Sequence, residues 1–328
     1  MTPQQANSKP VTELQRKLAE LPLLPTVVSE ILALEPTAAD YVECLAHLAE
    51  RDADFTRHVI RCANSAFNPP ATRIASLHDA VMRLGPQQTA GLVLGLAVAK
   101  VFIPHSELQR FLLIHSLQTA LFARMFCEQV PTLEPIAAQA YVSGLLHDIG
   151  RFVQCDGAPA ELCNVDDRHR ASPRELVEME REALGYDHIS LGWNACRKWH
   201  LPAAIGEVVR RHHDRLPACP GKAPDLVQMI QWADVLSAAL FMKPDLAFAP
   251  PEELTRRLAA EYPSIVPGMP PVTQTSWHGR VARVYVTSMQ LAYELIGFPA
   301  SKESVPGLGE RPTLSGSTSP LKEKARAV

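Results

Sequence analysis

Apolar residues recur at intervals of three and four along almost every segment of this chain. Nowhere does an apolar–polar alternation of period two persist for more than a few residues. That regularity restricts the fold to an all-α one. Proline and glycine supply the punctuation. Pro25 sits just inside a helix carrying Val27, Val28, Ile31 and Leu32. Asp54 and Phe55 open another, through Ile60 and Ala63, which stops near Asn64 and the Pro69–Pro70 pair. Ser76 then has the character of an N-cap, with Asp79 at the third helical position and Gly85 closing a short helix. Pro86 restarts the chain into a Gly- and Ala-rich helix over Ala90–Phe102, and Pro104 into a long one that reaches Val130.

With 328 residues, 47% of them hydrophobic, the chain can bury one large core or two modest ones. The pattern divides into an N-terminal helical lobe, residues 11–103, packed on a second lobe, residues 104–245, that holds nearly all the histidines of interest. Residues 246–298 read as a helical C-terminal extension, and 299–328, rich in Ser, Pro, Gly and Lys, as a disordered tail. The polar stretch Asp156–Ser172 reads as a surface loop before a helix that begins near Pro173. No apolar run reaches the ~18 residues needed to cross a bilayer, and Met1–Pro10 lacks a basic cluster followed by an apolar run. A cytoplasmic protein with no membrane partner is therefore expected. Charged residues make up 20% and the net charge is −3, which gives a phosphate backbone no attraction and argues against a nucleic-acid partner. Arg57 and Arg61, like Arg210 and Arg211, are expected to be solvated or paired with Asp54 and Glu207. The seven cysteines are odd in number and never at CxxC spacing, so they are expected to be reduced and mostly buried.

The chemistry lies where the helical stripes end. Leu108, Phe111, Leu112, Thr119, Phe122 and Phe126 form one apolar face, and the position on that face between Leu112 and Thr119 is His115. Ile136, Ala137, Ala140 and Gly144 lead in the same way to His147 and Asp148. His188 begins a face continued by Gly192, Ala195, Cys196 and Trp199, Ile205, Val208 and Val209 lead to His212 and His213, and Val227 and Ile230 lead to Asp234. Buried carboxylates and imidazoles are costly unless they pair with one another or share a cation. Imidazole and carboxylate donors suit iron, manganese, nickel or zinc, and the lack of thiolates at ligand spacing argues against a closed structural zinc site. An adjacent His147 and Asp148 suit such a centre, the carboxylate bridging two ions while the imidazole holds one; a water between two ions would be acidified for attack on a phosphate ester. Local roles compete. His212 and His213 lie at a helix C-terminus, where the dipole favours a cationic imidazole, and Asp187 can be the N-cap of the helix it precedes. His47, His58, His78, His105, His169, His200 and His278 read as ordinary structural histidines.

The order His115, His147–Asp148, Asp234 resembles the H…HD…D signature of the HD phosphohydrolase superfamily, and His188, His212 and His213 resemble the extra ligands of its HD-GYP branch. The first lobe narrows the likeness. Leu21-Pro22-Leu23-Leu24-Pro25, Arg61-Cys62-Ala63-Asn64-Ser65-Ala66, Ile74-Ala75-Ser76 with Ala80, and Leu84-Gly85 resemble the opening lobe of HDOD domains, the HD-related output domains. Gly144-Leu145-Leu146-His147-Asp148-Ile149-Gly150 and Tyr186-Asp187-His188 fit that family too, so the resemblance runs from about Leu21 to Ala238. It implies a multi-helical HDOD fold and a regulatory output in bacterial signalling, in a family generally degenerate in catalytic residues. Three departures from the HD-GYP pattern bear on catalysis. No GYP triplet follows, since the chain reads His212-His213-Asp214-Arg215-Leu216-Pro217; the lysine three residues after the HD aspartate is Arg151; and the carboxylate expected four residues before His115 is Phe111.

The expected function is a stand-alone signalling protein that works by contacting a protein partner or a ligand, since no receiver, GGDEF or EAL segment accompanies the domain. Its metal ligands would be His115, His147, Asp148, His188, His212, His213 and Asp234, around one or two divalent transition-metal ions. The alternative is a metal-dependent phosphohydrolase acting on a nucleotide or cyclic dinucleotide, with Asp148 and Arg151 as the residues at work. Arginine can clamp a phosphate but cannot serve as a tunable acid.

Overall fold

The computed structural model describes residues 15–16, 18–19, 21, 25–35, 38–64, 72–101, 106–129, 132–155, 173–214, 225–263 and 275–296, and among these there is no strand. The stretch expected to form the first lobe, and called so below, comprises α1 (Thr26–Ala33), α2 (Tyr41–Glu50), α3 (Ala53–Ala63), α4 (Leu77–Leu84) and α5 (Pro86–Val101). The capping chemistry expected of its polar residues is present: Asp52 Oδ1 accepts from the Asp54 amide at 2.8 Å to start α3, and Ser76 Oγ accepts from the Asp79 amide at 3.0 Å to start α4. Gly85 ends α4 with φ 86°, a conformation in which any Cβ would be strained. Asn64 grips the chain beyond α3, donating to the Ile74 carbonyl at 2.8 Å and accepting from its amide at 2.9 Å. Pro25 stands at the N-cap of α1 rather than inside it.

The second part comprises α6 (Glu107–Cys127), a 3-10 turn at Glu134–Ile136, α7 (Ala137–Leu146), α8 (Ile149–Cys155), α9 (Pro173–Leu184), α10 (His188–Lys198), α11 (Ala203–Arg211) and α12 (Leu226–Met242). Another 3-10 turn at Pro244–Ala247, α13 (Pro251–Glu261) and α14 (Thr275–Ile296) follow. The long α6 starts at a capping box, in which Ser106 Oγ accepts from the Gln109 amide at 3.2 Å and Gln109 Oε1 accepts from the Ser106 amide at 3.1 Å. The start inferred at Pro104 lies outside the described residues, as do the Asp156–Ser172 loop, the tail 299–328, Pro69–Pro70, His105 and His169.

α6 is the axis of this part, with α7, α12 and α14 packed along it. Two apolar clusters form the interior. One joins the first-lobe residues Leu45, Val59 and Leu92 to Leu117, Leu145, Phe152 and Val209; the other gathers Phe122, Phe126, Trp232, Leu236, Leu258 and Tyr285. α6 and α7 touch closely because Gly144 has no side chain: a Cβ there would lie 2.7 Å from Ala120 Cα. Cys62, Cys127, Cys155 and Cys196 are buried and Cys44 half-buried, all as free thiols; Cys163 and Cys219 lie outside the described residues. No described helix is long and apolar enough to cross a membrane. Arg57 is paired with Asp54, and Arg210 with Glu207 at 2.8 Å.

Candidate metal centre

His147 and Asp148 sit at a break. The apolar stripe runs from Ile136 to His147 and Asp148 as if on one helix, but α7 ends at Leu146, His147 is its C-cap, and α8 begins at Ile149. The break has a local cause: His147 turns its ring back so that Nδ1 donates to the Gly144 carbonyl at 2.7 Å, and the Asp148 carbonyl accepts from the Arg151 amide at 2.9 Å to start the next turn. Both side chains are buried there.

Four other elements converge on this point. His115 comes from the middle of α6, His188 from the first turn of α10, His212 and His213 from the C-terminal end of α11, and Asp234 from α12. All seven nominated residues thus meet in one cluster. His147 Nε2 lies 3.7 Å from Asp148 Oδ2, while His188 Nε2 and His212 Nε2 lie 3.6 and 3.4 Å from Asp148 Oδ1. His115 Nε2 lies 3.1 Å from Asp234 Oδ1 and 3.9 Å from Asp148 Oδ2. The His213 ring packs against His212 with centroids 4.0 Å apart. Donor atoms of His115, His147 and Asp148 fall within 4.8 Å of one another, and so do those of Asp148, His188, His212 and His213; Asp148 belongs to both sets.

One of the competing local roles is present as well, and it does not displace the central one. Asp187 caps α10, accepting from the Ser190 amide at 2.6 Å, which leaves His188 free to turn inward. His212 Nδ1 donates to the Val209 carbonyl at 2.9 Å. That bond is informative. A carbonyl oxygen only accepts, so Nδ1 carries the proton, and the Nε2 of a neutral ring is then a bare acceptor. The same holds for His147, through Gly144, and for His188, whose Nδ1 lies 2.6 Å from Glu180 Oε2.

As neutral rings, these three turn bare nitrogens on the oxygens of one buried carboxylate. Nε2 of His147, His188 and His212, Nδ1 of His213 and Asp148 Oδ1 are all buried without a hydrogen-bond partner. Acceptors turned on acceptors out of water are costly, and a cation among them removes the cost. The residues thus fit a metal ion, and the buried cluster can hold one. Electrostatics divide the rings. Burial pushes His147 down to about 4 and holds His213 well below its usual value, so both are neutral donors near pH 7. Burial works against ionisation of Asp148, but His147, His212, His188 and Arg151 outweigh it and keep the carboxyl well below the usual range. Burial likewise opposes a charge on His115 and His188, yet the hydrogen bond to Asp234 raises the first overall and the Glu180 carboxylate the second, so a metal ion would have to displace a proton from these two rings.

Around these side chains stand further groups. Arg151 is buried, with Nη1 3.7 Å from Asp148 Oδ2 and Nε 4.0 Å from Glu180 Oε1. Phe111 stacks on His115 at 5.7 Å and meets the edge of Phe241 at 4.2 Å, so an aromatic wall stands where the HD-GYP pattern has a carboxylate. Glu180, fully buried on α9, was missed in the sequence, although it stands on the Leu176, Val177, Leu184 stripe as the histidines do on theirs. Ser237, one turn beyond Asp234 on α12, places its hydroxyl 3.0 Å from His115 Nδ1. Of the histidines set aside, His47, His78 and His200 are exposed and His58 hydrogen-bonds the Asp54 carbonyl; the side chain of His278 is outside the described residues.

Comparison with known proteins agrees with this architecture. A family model, the HDOD domain, matches residues 21–215. That range takes in the first lobe and His115 through His213, and it ends before Asp234. A curated relative from Treponema pallidum (strain Nichols), an uncharacterised protein, is 22% identical over 235 residues, 71% of this chain and 45% of its own. The chain thus spans less than half of that relative's length. Among solved structures, an HDOD domain protein of unknown function from Geobacter sulfurreducens is 22% identical with a TM-score of 0.63, over 86% of this chain and 98% of its own. A provisionally named phosphohydrolase from Shewanella amazonensis SB2B is 24% identical at 0.62, over 86% and 98%. A provisionally named signal transduction protein from Marinobacter aquaeolei VT8 is 20% identical at 0.64, over 88% of this chain and 66% of that one. At these identities the likeness to solved structures is one of fold.

Proposed function

Because the chain belongs to the HDOD family, we propose that it is a bacterial signalling protein that regulates through a protein partner or a bound ligand, with one or two divalent transition-metal ions at the Asp148 centre. The observation that carries the metal part is the trio of buried, unpartnered Nε2 atoms on His147, His188 and His212 facing Asp148. Iron, manganese, nickel or zinc suits such donors. His115, His147 and Asp148, backed by Asp234, would hold one ion, and Asp148, His188, His212 and His213 the other. A bound ion supplies Lewis acidity toward a phosphate oxygen in a hydrolase, and a fixed charge that holds separate elements together in a regulator. Three features support regulation: the Phe111 wall beside His115, the missing GYP triplet, and an Arg151 that stays charged and cannot deliver a proton.

A second reading, a phosphohydrolase acting on a nucleotide or cyclic dinucleotide, is favoured by the full donor set and by the buried guanidinium of Arg151 beside Asp148, suited to orienting a phosphate. The two part on turnover. Full-length protein supplied in turn with Mn²⁺, Fe²⁺, Ni²⁺ and Zn²⁺ is incubated with a panel of nucleotides and cyclic dinucleotides, and products are separated by chromatography. The regulatory reading expects no product above the metal-only control. Turnover that disappears in Asp148→Ala contradicts it and establishes the hydrolase.

A further inference from the structure

Four imidazoles of the centre are anchored through Nδ1, and the anchors differ in charge. His147 and His212 lean on the carbonyls of Gly144 and Val209, and His115 on the hydroxyl of Ser237. His188 leans on a carboxylate. Glu180 Oε2 accepts from His188 Nδ1 at 2.6 Å and from the His188 backbone amide at 2.8 Å, so a single oxygen fixes both the ring and the first residue of α10. Both residues are fully buried.

The carboxylate is itself held in place. With its side-chain amide turned to suit its neighbours, Gln154 of α8 donates to Glu180 Oε1 at 3.2 Å, and Arg151 Nε lies 4.0 Å from the same oxygen. On the outer face of α9 the next residue, Arg181, reaches Asp187 Oδ2 at 2.6 Å, tying α9 to the N-cap of α10. The α9–α10 corner is thus clamped from both sides, and its inner clamp ends on a ligand nitrogen that faces Asp148 Oδ1 at 3.6 Å.

A charged acceptor at Nδ1 raises the basicity of the opposite nitrogen more than a carbonyl or hydroxyl does. We propose that Glu180 is a positioning residue that fixes His188 as an Nε2 donor and makes the His188–His212–His213 side of the centre its high-affinity side, filled before the side formed by His115 and His147. This rests on the metal reading above and adds to it an order of filling and a residue responsible for it. Glu180 touches no ligand oxygen of the centre and acts only through His188.

The test uses the full-length protein stripped with chelator and titrated with Zn²⁺ by calorimetry, for wild type and Glu180→Gln. The amide oxygen of Gln still accepts from His188 Nδ1 and keeps the shape, so the change removes the charge together with the acceptor that Glu180 Oε1 offers Gln154. Wild type should bind in two steps, and the variant should lose about 10–100-fold on the first step, the usual cost of an outer-shell partner, with the second step unmoved. Histidine ¹⁵N spectra of the metal-free proteins give a readout independent of metal. His188 should be protonated at Nδ1 in wild type and in Glu180→Gln, and should lose that preference in Glu180→Ala. If Glu180→Gln binds within about threefold of wild type, or if both steps weaken alike, the proposal is overturned while the metal centre stands. A wild type that binds no Zn²⁺ overturns the filling order together with the metal reading, and the spectra then still show whether Glu180 sets the tautomer.

Discussion

His115 keeps its Nε2 turned to Asp234 because Ser237 holds the opposite nitrogen, and the Ser237 hydroxyl is in turn 3.0 Å from Gln118 Oε1. Ser237→Ala removes an acceptor from a buried donor, and we expect it to cost about 1–3 kcal/mol in denaturant unfolding of the metal-free protein. An unchanged midpoint would mean that the ring is held by packing alone. This partnership was not legible in the sequence: the two residues are 122 positions apart, and a serine on an apolar stripe looks like any small core residue. The histidines were legible because an imidazole at a stripe position is conspicuous. Glu180 obeyed the same rule and went unread because no motif drew the eye to α9. Thiols offer a separate check on burial. Burial pushes Cys127 and Cys196 up to about 12, so at pH 8 iodoacetamide should leave both unmodified in the folded protein and alkylate both in denaturant. Peptide mapping by mass spectrometry reads this, and modification of either in the folded protein contradicts the packing around it.

At the scale of elements, glycine decides how near the ligand-bearing helices come. A Cβ on Gly150 would lie 1.9 Å from the His188 carbonyl oxygen, and one on Gly192 would lie 3.1 Å from the Gly150 nitrogen, so α8 and α10 cross backbone to backbone. Gly150→Ala must push α10 away and carry His188 with it. We expect a loss of about 1–3 kcal/mol or more in stability, together with weakened metal binding. Gly279 is the contrast: it is an exposed residue of α14 with nothing within 4 Å of an added Cβ. Gly279→Ala should stabilise by about 0.5–1 kcal/mol through helix propensity and leave metal binding unchanged. Thermal and denaturant melts of the pair decide, and equal effects at the two sites would show that the close crossing is not what Gly150 serves. Helix existence and several caps were readable from single residues, as Ser76, Asp187 and Gly85 illustrate. The break at His147–Asp148 was not. It arises from a ring folding back on its own helix, and the apolar spacing continues through it.

Across the whole molecule, one apolar cluster runs from Leu45 and Val59 of the first lobe to Leu145 and Val209 beside the metal centre. Helix α14 joins the interiors, placing Val281 and Tyr285 in the second cluster and Leu291 and Ala292 in the first. The metal-free protein is therefore expected to unfold in one transition over the described helices, with calorimetric and van't Hoff enthalpies agreeing; two separated transitions would show that the lobes are independent. A chain cut after Met242 lacks Val281, Tyr285, Leu291 and Ala292 and should lose cooperative unfolding. The helices could be sketched from the sequence because each has its own period. Their shared core could not be, since periodicity says which face is buried and not against what. The converging stripes did show that the His and Asp residues face inward, and the orphaned nitrogens around Asp148 add that an ion suits them. The most direct test of that claim is elemental analysis of wild type and Asp148→Ala, purified without added metal, with circular dichroism to establish that both are folded. We expect stoichiometric iron, manganese, nickel or zinc in wild type and its loss in the variant. A folded wild type that carries none of these metals, and takes up none when they are supplied, would contradict the account.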